Sequence, residues 1–342
     1  MDAATLKAVL KNAIQTGGQI LIVSEPGTGK SEIVQETAKE LNVPIAVFHP
    51  IVEEPTDVKG FPWCYTVNGQ PRAQFVTYGE MARLLNPPGR LVAFLDDLGH
   101  ASEDMQAAWT QPIWARNLNG HPISPNVVFI GATNDVTHKA GVYGMIEPLK
   151  SRFDSIIRYK PTIDDWVDWA WKHNMPDELI AFNRFRPELM FQFKPTKELT
   201  NSPCPRNVAS LGKILTSNYP PDAIYELGEG AVGSGYMTEF MAYRELYAAM
   251  PDPLKVLADP DNAELPEEPG IMYALTTALA RHASAKTMVN LVKLADRLMA
   301  SSLSEFAVLL MKDVRSATPN ALRIPEYRNW ALKASNLLLY QE

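Results

Sequence analysis

Residues 24–31 read Ser24-Glu25-Pro26-Gly27-Thr28-Gly29-Lys30-Ser31, and the interpretation of this stretch decides the fold. It fits the phosphate-binding pattern GxxxxGK[ST] everywhere except at Ser24, which stands where the first glycine is usual. Such a loop works because consecutive backbone N–H groups turn inward and the following helix presents its positive end. Gly27 and Gly29 supply unusual dihedrals and leave room for phosphates. Lys30 can reach the β- and γ-phosphates, and the Ser31 hydroxyl can ligate Mg²⁺. Taken alone, the loop could be a glycine-rich turn with no such role. Its context argues otherwise: the apolar run "QILIVS" suits a strand buried on both faces, and "SEIVQETAKELN" has helical period.

Working outward, Leu6, Val9, Leu10, Ala13 and Ile14 predict an opening amphipathic helix ended by Gly17-Gly18. "PIAVFHP", "RLVAFLDD", "VVFIGATND" and "SIIRYKP" are further strand candidates, and "SEDMQAAWTQPIWA" is helical. "CYTVNGQPRAQFV" alternates around Asn68-Gly69, a hairpin signal. Strands alternating with helices predict an α/β domain over residues 1–160, a mostly parallel sheet with helices on both faces.

Beyond Pro161 the strand signals fade. "TIDDWVDWAWKHN" and "PRNVASLGKILTSN" read as helices with Pro- and Phe-rich loops between them. The Gly-rich "LGEGAVGSGYMTEF" leads into another helix, and "PDPLKVLADPDNAELPEEPG" reads as an exposed connection. From Ile271 the chain is helical to its end. The predicted organisation is a small helical domain over 161–218 and a helical C-terminal extension over 219–342. Trp166, Trp169 and Trp171 in the small domain, and Tyr236, Phe240, Tyr243 and Tyr247 beyond it, recur at helical spacing and read as packing.

The 342 residues suffice for a sizeable core and more than one domain. A net charge of −7 disfavours a general nucleic-acid binder, although a local basic channel stays open. Cys64 and Cys204 read as two unpaired thiols of a reducing compartment. The histidines show no paired metal-ligand spacing. The opening residues lack the apolar core of a signal peptide, and no apolar run approaches the roughly 20 residues of a membrane span. The expectation is a cytoplasmic protein without membrane contact.

Four further elements carry candidate chemistry. The apolar run before Asp96-Asp97 describes a Walker B strand, with Asp96 holding Mg²⁺ and Asp97 polarising the attacking water. Asp97 is about one C–C bond shorter than the glutamate usual there, and a misplacement of this order can cost ~10²-fold in rate. Slow hydrolysis is therefore an open reading. Asn134 ends a strand where an amide can orient water, or simply cap the strand. Arg152, in "EPLKSRFDSIIRY", can neutralise charge on a transferring phosphoryl group or sit on the surface. Arg206 lies in the first turn of the helix starting at Pro205, where a cation opposes the macrodipole and calls for compensation such as a phosphate.

In this order the five elements resemble an AAA+ ATPase over roughly residues 1–218. Finer features are similar to the MoxR branch, whose relatives include the CbbQ/NorQ and gas-vesicle ATPases. They are "EPTDVKG" at 54–60, the Asn68-Gly69 hairpin, and "ARNLNGHPI" ahead of the Asn134 strand. The segment "GAVGSGYMTEF" resembles phage-encoded MoxR-like ATPases. The resemblance implies ATP and Mg²⁺ as cofactors, held by Gly27, Thr28, Gly29, Lys30, Ser31 and Asp96, with Ser31 and Asp96 at the metal. It implies catalytic roles for Asp97, Asn134 (sensor 1), Arg152 (a trans-acting arginine finger) and Arg206 (sensor 2). It further implies a homo-oligomeric ring, a hexamer, that remodels a partner protein as a chaperone-like motor. The usual partner is a von Willebrand A-domain protein with a metal-dependent adhesion site. The Asn68-Gly69 and Asn119-Gly120 hairpins would face the ring centre or the client. The departures are Ser24, Asp97, and "LGHA" where the family often has "INRA"; the role of that arginine is not carried over to His100. Two alternatives stay open: a nucleic-acid motor or helicase loader, for which Arg72, Arg116 and His121 are the available hairpin groups, and a slowly hydrolysing ATP-gated scaffold.

Overall fold

The computed structural model describes residues 1–135, 144–195 and 199–334, in two compact units, Met1–Thr162 and Ile163–Glu342. In the first unit the strands are β1 (Ile20–Ser24), β2 (Ile45–Phe48), β3 (Phe61–Val67), β4 (Gln70–Val76), β5 (Leu91–Leu95), β6 (Asn117–Leu118), β7 (His121–Pro122), β8 (Val127–Asn134) and β9 (Ser155–Arg158). Its helices are α1 (Ala3–Thr16), α2 (Lys30–Glu40), α3 (Pro55–Lys59), α4 (Gly79–Arg83), α5 (Glu103–Ala115) and α6 (Glu147–Lys150).

Five strands form one parallel sheet in the order β2-β5-β8-β1-β9. The apolar runs are buried on both faces because successive side chains alternate between two cores. Leu91, Ala93 and Leu95 of β5 pack on one side with Phe129 and Trp109, while Val92 and Phe94 pack on the other with Leu6, Leu10 and Val34. Trp109 of α5 meets Phe48 edge-on at a centroid distance of 4.9 Å. The expected α/β layering is therefore present, with helices covering both faces. From β1 the chain crosses to the far edge at β2, returns through β5 and β8, then passes β1 to reach β9. That reversal opens a crevice at the carboxyl end of β1.

Both hairpins turn on two residues with positive φ, 51° and 74° at Asn68-Gly69 and 47° and 94° at Asn119-Gly120. These values fit the type I′ turn that Asn-Gly favours. The first ribbon begins at Phe61, three residues before the alternation quoted above, and every position in β3 and β4 is exposed.

Among its described residues the second unit has helices and no strand: α7 (Ile163–Lys172), α8 (Asp177–Phe185), α9 (Pro187–Met190), α10 (Pro205–Thr216), α11 (Ile224–Val232), α12 (Ser234–Ala248), α13 (Pro253–Ala258), α14 (Pro269–Arg281), α15 (Met288–Met299), α16 (Ser304–Ala317) and α17 (Pro325–Lys333). One apolar core runs through it from Trp166 to Ala334, shared by the segments on either side of residue 218. Trp166, Trp171, Tyr236, Phe240 and Tyr243 are buried there, as their spacing predicts.

Three stretches differ from expectation. The Pro- and Phe-rich "loops" contain α8, whose Phe182 meets Tyr236 and Phe240 edge-on at 5.1 and 5.4 Å; burial of these rings outweighs the flanking prolines. The Gly-rich segment is helical in α11, where a Cβ on Gly228 would lie 2.5 Å from the Met237 sulfur, so the glycine serves close helix packing. The acidic "connection" contains α13, anchored by buried Val256 and Leu257. Residues 335–342, expected to be helical, lie outside the described residues. Cys64 is exposed and Cys204 buried, both as free thiols, and burial pushes the Cys204 thiol up. Among the described residues no helix is long and apolar enough to cross a membrane.

Candidate functional site

β1 ends at Ser24 in register with Asn134, the last residue of β8. The loop that follows must turn sharply into α2, and Gly27 and Gly29 take φ of 72° and 91°, the left-handed region that disfavours side chains. Gly29 is the N-cap of α2, and no atom lies within 4 Å of where its Cβ would stand. The glycine is thus set by backbone conformation, and the space beside it at the helix N-terminus is open.

Lys30 and Ser31 occupy the first turn of α2. Lys30 is nearly buried, and its ammonium donates to the Glu25 carbonyl at 3.1 Å and to Asn134 Oδ1 at 2.5 Å. Ser31 Oγ donates to Asp96 Oδ2 at 2.7 Å. Asp96 follows β5 directly; its N–H donates to the Phe48 carbonyl at 3.0 Å, and its Oδ1 accepts from the Asp97 N–H at 3.1 Å. Asp97 has φ of 52°, in the left-handed region that aspartate enters more readily than most non-glycine residues. Lys30, Ser31, Asp96 and Asn134, spread over more than a hundred positions in sequence, therefore meet at one edge of the sheet. A cation, a hydroxyl and a carboxylate beside an open helix N-terminus form a donor set suited to a phosphate and a hard divalent cation.

The Ser24 departure has a structural use. Its hydroxyl lies 2.6 Å from the Thr28 hydroxyl, and the Glu25 carbonyl is within reach of both, at 3.1 and 2.9 Å; with one proton each, one hydroxyl donates to the other and that other to the carbonyl. Ser24 and Thr28 are both buried, so this bond braces the two ends of the loop against each other out of solvent. Restoring the usual glycine, Ser24→Gly, is accordingly expected to destabilise the protein by about 1–2 kcal/mol, from a lost internal hydrogen bond and added chain entropy. A urea midpoint equal to or above that of the wild type would refute the brace.

One residue that the sequence assigned no role belongs to this cluster. The single-turn 3₁₀ helix Leu98–His100 after Asp97 packs on β8, and only glycine fits at 99 because a Cβ would lie 2.2 Å from Thr133 Oγ1. That close approach brings the His100 ring to 3.3 Å from Asn134 Nδ2 and its Nδ1 to 3.7 Å from Asp97 Oδ1. The signal was present in the spacing of "DDLGH", but its meaning depends on which strand lies alongside.

Two candidates stand apart from the cluster. Arg152 sits with its guanidinium 4.6 Å over the exposed Trp114 ring, and no hydrogen bond among the described residues joins its side chain to the Lys30–Asn134 pair. Arg206 belongs to the second unit, in the first turn of α10.

No family model matches the sequence, and no curated protein matches it. Solved structures similar to the chain include a mutant of Thermotoga maritima RuvB, 16% identical, covering 84% of this chain and 83% of that one at a TM-score of 0.39. Thermotoga maritima RuvB described as a Holliday junction branch migration motor is 14% identical, with 97% and 86% covered at a TM-score of 0.34. A Cytophaga hutchinsonii protein described as a candidate ATPase is 14% identical, with 67% and 80% covered at a TM-score of 0.37. The fold class itself is carried by the chain's own geometry: a parallel β2-β5-β8-β1-β9 sheet, a glycine loop between β1 and α2, and an acidic pair after β5 make the first unit a P-loop NTPase fold.

Proposed function

We propose that this chain is a Mg²⁺-dependent AAA+ ATPase of the MoxR branch that works in a ring, a hexamer, and couples ATP hydrolysis to remodelling a partner protein. The observation that supports it most is the convergence of Lys30, Ser31, Asp96 and Asn134 beneath the open N-terminus of α2. In this reading the backbone N–H groups of residues 27–31 and the Lys30 ammonium bind the phosphates, and Ser31 with Asp96 holds Mg²⁺. Bound Mg-ATP supplies the phosphoanhydride to be cut by water. Asp97 takes up the water's proton, and Asn134 orients the water through its amide. Arg152 serves the site of a neighbouring subunit, which fits its position on an exposed indole outside its own cluster. Arg206 acts as the sensor 2 arginine, and a von Willebrand A-domain protein is the proposed partner.

Phosphate release with Mg-ATP tests the activity, and mixing tests the shared site. Arg152→Ala and Lys30→Ala proteins are each expected to be inactive, while their mixture recovers part of the wild-type rate because some interfaces pair an intact loop with an intact arginine. A mixture as inactive as its components removes the trans role. Stimulation by DNA would favour the motor reading instead. Tight ATP binding with negligible release would favour the gated scaffold, which the short Asp97 side chain supports.

A further inference from the structure

Lys30, Asn134, His100 and Asp97 form a continuous line of contacts, and its polarity is fixed from one end. Lys30 Nζ is a donor only, so the Asn134 oxygen must be the atom facing it at 2.5 Å. The amide is thereby held against flipping, and its Nδ2, also a donor only, is the atom 3.3 Å from His100 Nε2. Nε2 must then accept. The ring proton is left at Nδ1, which faces Asp97 Oδ1 at 3.7 Å. The turn that carries the His100 ring is itself held. The His100 side chain is 10% exposed, its backbone N–H donates to the Asp97 carbonyl at 2.9 Å, and Gly99 locks the turn against β8.

We propose that His100 is a positioning residue whose Nδ1–H, selected by Asn134, steers the Asp97 carboxylate and so compensates for the short reach of an aspartate at the water-polarising position. This rests on the ATPase reading for its purpose, but not for its geometry. The separation of 3.7 Å is long for a hydrogen bond, as such contacts commonly are before a ligand tightens the site. A freely rotating Asp97, half-exposed as it is, would present its oxygens in several directions; a fixed donor selects one.

The test begins without nucleotide. Long-range ¹H–¹⁵N spectra of ¹⁵N-histidine-labelled protein, with His100 identified by its loss in His100→Gln, are expected to show the Nδ1–H tautomer. An Asn134→Ala variant is expected to move it toward Nε2–H. An Nε2–H tautomer in the wild type, or one indifferent to Asn134, overturns the proposal whether or not the protein hydrolyses ATP. Kinetics give the second arm. In His100→Asn an amide N–H stands where Nδ1–H does, so kcat is expected to fall only about two- to fivefold, a fraction of the loss that an Å-scale misplacement brings. In His100→Gln the donor is displaced, and kcat is expected to fall on the order of tenfold to a hundredfold with the KM for ATP within about threefold. Equal losses in the two variants overturn the Nδ1 assignment. A wild type without ATPase activity would instead remove the proposed function and leave the spectra to decide the role of His100.

Discussion

A Lys30→Ala protein is expected to bind Mg-ATP at least a hundredfold more weakly than the wild type. Lys30 is 6% exposed, in the first turn of α2 directly after Gly29, and its ammonium is held by the Glu25 carbonyl and Asn134 Oδ1. Hydrogen bonds to charged groups contribute about 1.5–3 kcal/mol each, and each 1.4 kcal/mol is a factor of about ten in affinity. Losing two such bonds to phosphate oxygens therefore costs about two to four decades. Titration calorimetry with Mg-ATP reads the effect, and circular dichroism verifies that the variant is folded. Binding within threefold of wild type would mean that the cluster does not receive phosphates.

The largest effect on stability is expected at Arg184, in the helical unit. Its guanidinium, with 6% side-chain exposure, donates to Asp313 of α16 at 2.6 Å and to Asp164 of α7, tying three helices of the core together. Arg184→Met leaves the Asp313 carboxylate, 3% exposed, without its cation, and removing one partner of a buried pair costs about 3–5 kcal/mol. The double variant Arg184→Met with Asp313→Leu is expected to regain most of that loss, because neither charge then remains buried. The pH dependence has a definite sign. Burial pushes the Asp313 carboxyl up, and removing Arg184 takes away the charge that opposes this shift. A carboxyl with a raised folded-state pKa contributes stability below its unfolded pKa and loses it as pH rises. The Arg184→Met penalty is thus smallest in mild acid and grows toward neutrality. Urea unfolding at both conditions checks it; a penalty independent of pH would contradict the buried-carboxylate account.

Local signals carried much of the first unit. Residues 20–31 put strand, loop and helix in order, and the run before Asp96 and the one ending in Asn134 mark β5 and β8 by continuous apolarity. Asn68-Gly69 and Asn119-Gly120 mark turns because few other pairs accept two positive φ values. His100 was hidden for a physical reason: its partners Asn134 and Asp97 reach it through the β5–β8 pairing and a tight 3₁₀ turn, which no spacing rule contains. The helical unit was harder to read because prolines and glycines there serve different ends. Pro187 and Pro253 sit in first turns, where a missing N–H costs nothing. Gly228 fills a contact point between helices. Arg206 was legible as an oddly placed cation, and the structure places it in the first turn of α10.

The exposed β3–β4 ribbon has a consequence for hydrogen exchange. A two-stranded hairpin that buries neither face has little to hold it closed, so its amides should exchange near the rate of local fraying. β8, buried at every position but its last, should exchange only with global opening. One chain thus carries both limits of the protection scale. Slowed exchange confined to 61–76 on adding a second protein, with β8 unchanged, would locate that protein on the ribbon without labelling or mutation.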